Sequence, residues 1–125
     1  MTGRLIGTLA VAAVIATAFA SAADAHAKLV RADPAPKSVV TAAPKIVRLW
    51  FNEELASKGS TVAVVDGRGR RVDDGKGRLD LEDLDRKSMI TGLKPVPRGT
   101  YTVRWVAVSA DDRFVARGTY RFTVR

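Results

Sequence analysis

Thr100-Tyr101-Thr102-Val103-Arg104-Trp105-Val106-Ala107-Val108-Ser109-Ala110 carries the clearest fold signal in this chain. Successive side chains of a strand point to opposite faces. Tyr101, Val103, Trp105 and Ala107 share one face; Thr102, Arg104, Val106 and Val108 share the other. That alternation predicts a long, half-buried strand. Pro95-Val96-Pro97-Arg98-Gly99 forms a hard turn before it, and Asp111-Asp112-Arg113 a tight turn after it. The next run answers in kind. Val115 and Ala116 lead into Thr119–Val124, where Tyr120, Phe122 and Val124 face inward and Arg121 and Thr123 outward.

Working outward, Lys45–Phe51 predicts a strand with Val47, Leu49 and Phe51 on its buried face and Ile46, Arg48 and Trp50 on the other. Thr61–Val65 is another, closed by the Asp66-Gly67-Arg68-Gly69 turn, where glycine supplies positive φ. Val72 begins a weak return strand. Asp73–Arg86 is polar and reads as loop, with Leu79, Leu81 and Leu84 expected to pin it down. Ser88–Leu93 is a short strand. Nearer the start, Ala27–Ala32 and Ser38–Ala43 are short extended pieces. Asp33-Pro34-Ala35-Pro36 separates them, because proline fixes φ and restricts its predecessor. No stretch keeps a helical period. About seven short strands in about 100 residues is the pattern of an all-β sandwich of immunoglobulin type. Pro97-x-Gly99-x-Tyr101 fits the tyrosine that opens a late strand in such folds.

Residues 1–25 read as a secretory signal peptide. Arg4 is the positive start, Leu5–Ala20 the uncharged run, and Ala23-Asp24-Ala25 the small-x-small cleavage signal. The run is too short for a membrane span, which needs about 20 apolar residues. Cleavage after Ala25 leaves residues 26–125 as one domain; cleavage after Ala23 is the competing cut. The chain is expected to be exported. With no cysteine, disulfides, thiolate metal sites and thiol catalysis are excluded. The net charge is +8, with arginines scattered except at Arg68–Arg71. Export argues against nucleic acid, so the charge reads as solvated strand faces, with weak attraction to anionic lipid as the alternative.

Little in the chain suits catalysis, and the expectation is a protein that is not an enzyme. His26 is the single histidine. Cleavage after Ala25 would make it N-terminal, where amine and imidazole together form a chelate for a metal such as Cu(II). Further ligands must come from elsewhere. Asp111 lies in the turn after the longest strand, and Glu53 lies just past Phe51. If those loops gather where the chain begins, the donors form a tetragonal N,O set that suits Cu(II). Otherwise Asp111 is a turn-former and Glu53 a surface acid. A histidine-brace oxidase needs a second histidine, which the chain lacks.

Several stretches, in order, carry a resemblance: His26-Ala27-Lys28-Leu29-Val30, Asp33-Pro34-Ala35-Pro36, Ala43-Pro44-Lys45-Ile46 through Leu49-x-Phe51-x-Glu53, Gly99-Thr100-Tyr101-x-Val103-x-Trp105, Val108-Ser109-Ala110-Asp111, and Gly118-x-Tyr120-x-Phe122-x-Val124. Residues 26–125 resemble the CopC family of periplasmic copper-resistance proteins. The resemblance implies a seven-stranded immunoglobulin- or cupredoxin-like Greek-key β-sandwich or barrel. It also implies a Cu(II) site built from the N-terminal histidine, an aspartate and a second histidine. His26 and Asp111 match. Arg113 stands where the second histidine belongs, and an arginine does not ligate metal at ordinary pH. The methionine-rich segment of some relatives is missing, since Met89 is the only methionine after residue 25.

The expectation is therefore an exported copper-binding protein of copper resistance or homeostasis. His26 and Asp111 would be its Cu(II) ligands and Glu53 a helper, in a site weakened by Arg113. The expected partners are the copper ion and an inner-membrane copper-transport protein, with the chain itself a monomer. The alternative is an interaction module that kept the fold and lost tight metal binding.

Overall fold

Alternating apolar residues and proline breaks set the strands. The computed structural model describes residues 26–125, so the signal-peptide reading of residues 1–25 lies outside the described residues. The strands are β1 (Leu29–Asp33), β2 (Val39–Val40), β3 (Ile46–Phe51), β4 (Thr61–Val65), β5 (Arg78–Leu79), β6 (Ser88–Gly92), β7 (Gly99–Val108) and β8 (Val115–Val124). No helix occurs among the described residues.

They form two four-stranded sheets, ordered β1-β3-β6-β5 and β2-β8-β7-β4. Only β2 and β8 run parallel; the other pairs are antiparallel. No ladder joins the two sheets among the described residues, so the fold is an open sandwich rather than a closed barrel. The strand count exceeds the expected seven because β2 and β5 are two-residue strands. The prolines after β1 explain β2. They end pairing with β3, and the chain crosses to the edge of the other sheet beside β8.

Val47, Leu49 and Phe51 are buried as their period demands. On the opposite face Trp50 lies under two guanidiniums, with Arg31 at 4.3 Å and Arg48 at 5.7 Å from the ring centre. Arg48 also pairs with Asp80 at 2.9 Å. From the facing sheet, Tyr101, Val103, Ala107, Tyr120, Phe122 and Val124 complete the core. Trp105 meets Phe51 edge-on at 5.1 Å and joins the two sheets. Opposite it in register is Gly118, where a Cβ would come within 2.3 Å of the indole. Glycine is required there by close approach rather than by turn geometry.

The Tyr101 hydroxyl donates to the Pro97 carbonyl, so the tyrosine corner forms as expected. The Tyr120 hydroxyl donates to the Pro34 carbonyl at 2.8 Å and ties β8 to the β1–β2 loop. Burial pushes this phenol far above its ordinary range, with help from nearby Asp33.

Two expectations need correction. Leu81 and Leu84 do not pin the 80–86 loop: they are 70% and 96% exposed, and only Leu79 is buried. The loop is held by carboxylates instead. Asp83 accepts the Ser88 hydroxyl at 2.7 Å and the Lys87 N–H at 3.0 Å. Second, β7 ends at Val108 while β8 begins as early as Val115, because the two pair along all ten residues of each.

Asp73 is buried beneath β4. Burial alone would raise its carboxyl, but the Arg71 fork and the N–H groups of Val64 and Gly75 outweigh it and hold the group below its usual range. A depressed carboxylate stabilises the fold above its unfolded pKa and stops doing so as pH falls through the folded value. Stability should therefore be level near neutrality and drop below about pH 4. Asp73→Asn should cost about 1–3 kcal/mol at pH 7 and flatten the acid limb of a urea-melt pH series. The flattening is partial, because Asp66, Asp74 and Asp83 are also held low, chiefly by the Arg70 N–H, the Lys76 N–H and the Ser88 hydroxyl.

Candidate metal centre

Three segments meet at the end of the sandwich where β3 and β7 finish. The first is the chain start. Ala27 is buried in the core. The Lys28 N–H donates to Asn52 Oδ1 at 2.7 Å, and the Asn52 N–H returns a bond to the Lys28 carbonyl at 3.1 Å. That reciprocal pair fixes His26 two residues ahead of a pinned point. The second segment, residues 52–56, lies along the third: Leu55 bridges to Ser109, and the Ala110 N–H donates to the Glu54 carbonyl at 3.0 Å. This is why the regular β7 ladder stops at Val108. The third segment is the 109–114 turn, closed by the Arg113 N–H to the Ser109 carbonyl at 3.0 Å.

Glu53 and Asp111 come together. They line one cleft of about 400 Å³ with Glu54 and Ala110. Glu53 is half-buried, and the fully buried Ser109 hydroxyl donates to its Oε1. That bond aims the carboxylate and leaves its second oxygen without a hydrogen-bond partner among the described residues. Asp111 is exposed at the rim.

His26 lies at the same end of the sandwich but does not line that cleft; its ring stacks on Phe114 of the 109–114 turn at 3.5 Å between centres and 28° between planes. Its Nδ1 is shielded from solvent and has no hydrogen-bond partner among the described residues. A buried polar atom left unpaired costs free energy, and a metal ion is one group that would satisfy it. Among the described residues no three His, Cys, Asp or Glu side chains converge as a set able to hold a metal. Arg113 takes a left-handed backbone with φ of 64° in the turn and has no carboxylate at ion-pair distance among the described residues.

Three contributors escape a reading by residue type: Ser109 as the orienter of Glu53, Asn52 as the anchor of the chain start, and Phe114 as the platform for His26. An asparagine directly after a strand is a local turn signal. Nothing local marks the serine or the phenylalanine.

The CopC domain model matches residues 29–125. The chain belongs to the CopC family. The CopC match begins three residues after His26 and includes Glu53 and Asp111. The chain is 36% identical over 111 residues to copper resistance protein C of Escherichia coli, covering 85% of this chain and 86% of that protein. It is 31% identical over 100 residues to copper transport protein CutJ of Bacillus subtilis, covering 80% of this chain but only 18% of that protein. Among solved structures, PcoC, a methionine-rich copper resistance protein from Escherichia coli, superposes with a TM-score of 0.67 at 33% identity. The superposition covers 80% of this chain and 99% of that one. Unlike a methionine-rich protein, the described CopC domain here holds a single methionine, Met89, buried in the core.

Proposed function

We propose that this CopC protein is exported to the periplasm, loses its signal peptide after Ala25, and binds Cu(II) as cargo in copper resistance or homeostasis. The supporting observation is the shielded Nδ1 of His26, without a hydrogen-bond partner among the described residues, at the end of the sandwich where Glu53 and Asp111 line a cleft. In the processed chain the α-amine and Nδ1 would close a six-membered ring with the metal. Asp111 would add a charged oxygen, and Glu53, oriented by Ser109, would serve as helper. Imidazole nitrogen and carboxylate oxygen in tetragonal array suit Cu(II). With one imidazole and a nearby cation at Arg113, affinity would be lower than in a site with two histidines. The role is binding and release rather than catalysis. Similarity to a segment of a copper transport protein supports an inner-membrane transporter as the partner of a monomeric carrier.

A second reading is an interaction module without tight metal binding. It is favoured by Arg113 and by the lack of a three-ligand cluster among the described residues. Cu(II) titration followed by EPR, on protein whose mass places His26 first, separates the two. The carrier reading expects one tetragonal Cu(II) per chain, lost in His26→Ala. It also expects Arg113→His to tighten binding on the order of 10- to 100-fold, the range that partners around a metal command. Equal binding by His26→Ala and the parent would support the module instead.

A further inference from the structure

The opposite end of the sandwich carries a different chemistry. β7 spans the domain, so Gly99 and Val108 mark ends ten residues and roughly 30 Å apart. At the Gly99 end, the Asp66–Arg70 turn faces the Pro95–Gly99 segment across a cleft of about 780 Å³ that Arg68, Arg70, Arg71 and Arg98 help to line. A second cleft of about 340 Å³ shares Asp66, Gly67 and Thr100 with the first and continues onto the exposed face of the β4-β7-β8 sheet, where it adds Arg121 and the mid-strand Arg104. Two of these six arginines are neutralised: Arg70 by Asp66 at 3.1 Å and Arg71 by Asp73 at 2.7 Å. Arg68, Arg98, Arg104 and Arg121 have no carboxylate at ion-pair distance among the described residues. Asp66 is already committed to its own turn, accepting the N–H groups of Arg68 and Arg70 at 2.9 Å each.

We propose that this end docks on an anionic membrane surface, its free guanidiniums binding the phosphates of phospholipid headgroups. Arginine forks match phosphate oxygens bidentately. Like charges gathered in two adjoining clefts repel, and a row of phosphates relieves that repulsion. The spread over two clefts suits an array of headgroups better than one small anion. Exposed Pro95 and Pro97 add a small apolar ridge beside the arginines, while Val96 between them packs against the core. Docked this way, the end bearing His26 faces away from the lipid. The proposal does not depend on copper.

The test is co-sedimentation of the processed, metal-free protein with phosphatidylglycerol-containing vesicles and with pure phosphatidylcholine vesicles. Binding is expected only to the anionic vesicles, and it should vanish near 1 M salt, where the screening length is about 3 Å. Arg68→Ala with Arg98→Ala should weaken it about 10- to 30-fold, at about the strength that one basic residue contributes beside an anionic leaflet. Lys58→Ala with Lys87→Ala removes the same charge at the other end and should leave binding nearly unchanged. Equal loss in both pairs would reduce the effect to net charge and overturn the proposal. So would failure of the parent to bind anionic vesicles, including the case where it binds polyglutamate instead. Melting curves check folding, and the single arginine variants read the same loss if the paired variant melts early.

Discussion

An acetyl cap extending the His26 α-amine should leave stability within about 0.5 kcal/mol of the processed chain yet weaken Cu(II) binding by more than about 100-fold. The cap turns the α-amine into an amide, which no longer offers a lone pair to the metal at neutral pH. His26 would keep its imidazole but lose the ring closure that makes a chelate. Partners that merely surround a metal already command about 10- to 100-fold in affinity, so removal of a donor atom exceeds that range. The fold has no reason to notice. Burial begins at Ala27, and the Lys28–Asn52 pair that anchors the strand start is untouched. Competition titration against a chelator of known affinity, with EPR on the same samples, measures the difference. Unchanged affinity in the capped protein would place the metal away from the amine and end the chelate model. His26→Ala alone does not make this distinction, because it also removes the ring stacked on Phe114.

Phe122→Ala should lower the free energy of unfolding by about 3–5 kcal/mol, the usual cost of emptying a buried aromatic site. Phe122 is 1% exposed and lies near-parallel to Tyr101 at 5.6 Å between ring centres. β7 and β8 are paired along their whole length and restrict collapse around the void. Since small domains hold only about 5–15 kcal/mol in total, the urea midpoint should fall sharply with an unchanged m-value. A loss below about 1 kcal/mol would mean that Tyr101 moves into the space.

Legibility differed between the sheets and the loops. The period-2 faces of Lys45–Phe51 and Thr100–Ala107 exposed the core directly, and Val47, Leu49, Phe51, Tyr101 and Val103 are buried as that period requires. The 73–86 stretch misled because it has no period. Three leucines there look alike by type, yet only Leu79 pairs with β6, opposite Met89, and reaches the interior. At the candidate site, Asp111 and Glu53 were legible as acids in turns that end strands. Their shared cleft was not, because it depends on Leu55 bridging Ser109 across more than fifty residues.

By itself, then, the sequence determined the all-β class, the inward face of each long strand and the solitary histidine. These follow from residue type and local period, which act over a few neighbours. Tertiary structure alone decided which sheet each edge strand joins, and that Ser109 aims Glu53 while Phe114 carries His26. It also decided that Arg68 and Arg98, unpaired among the described residues, come together at the far end of the sandwich, with Arg104 and Arg121 on the adjoining sheet face. Those relations join residues distant along the chain, and they exist only once two sheets have closed on a common core and brought their loops to the same ends.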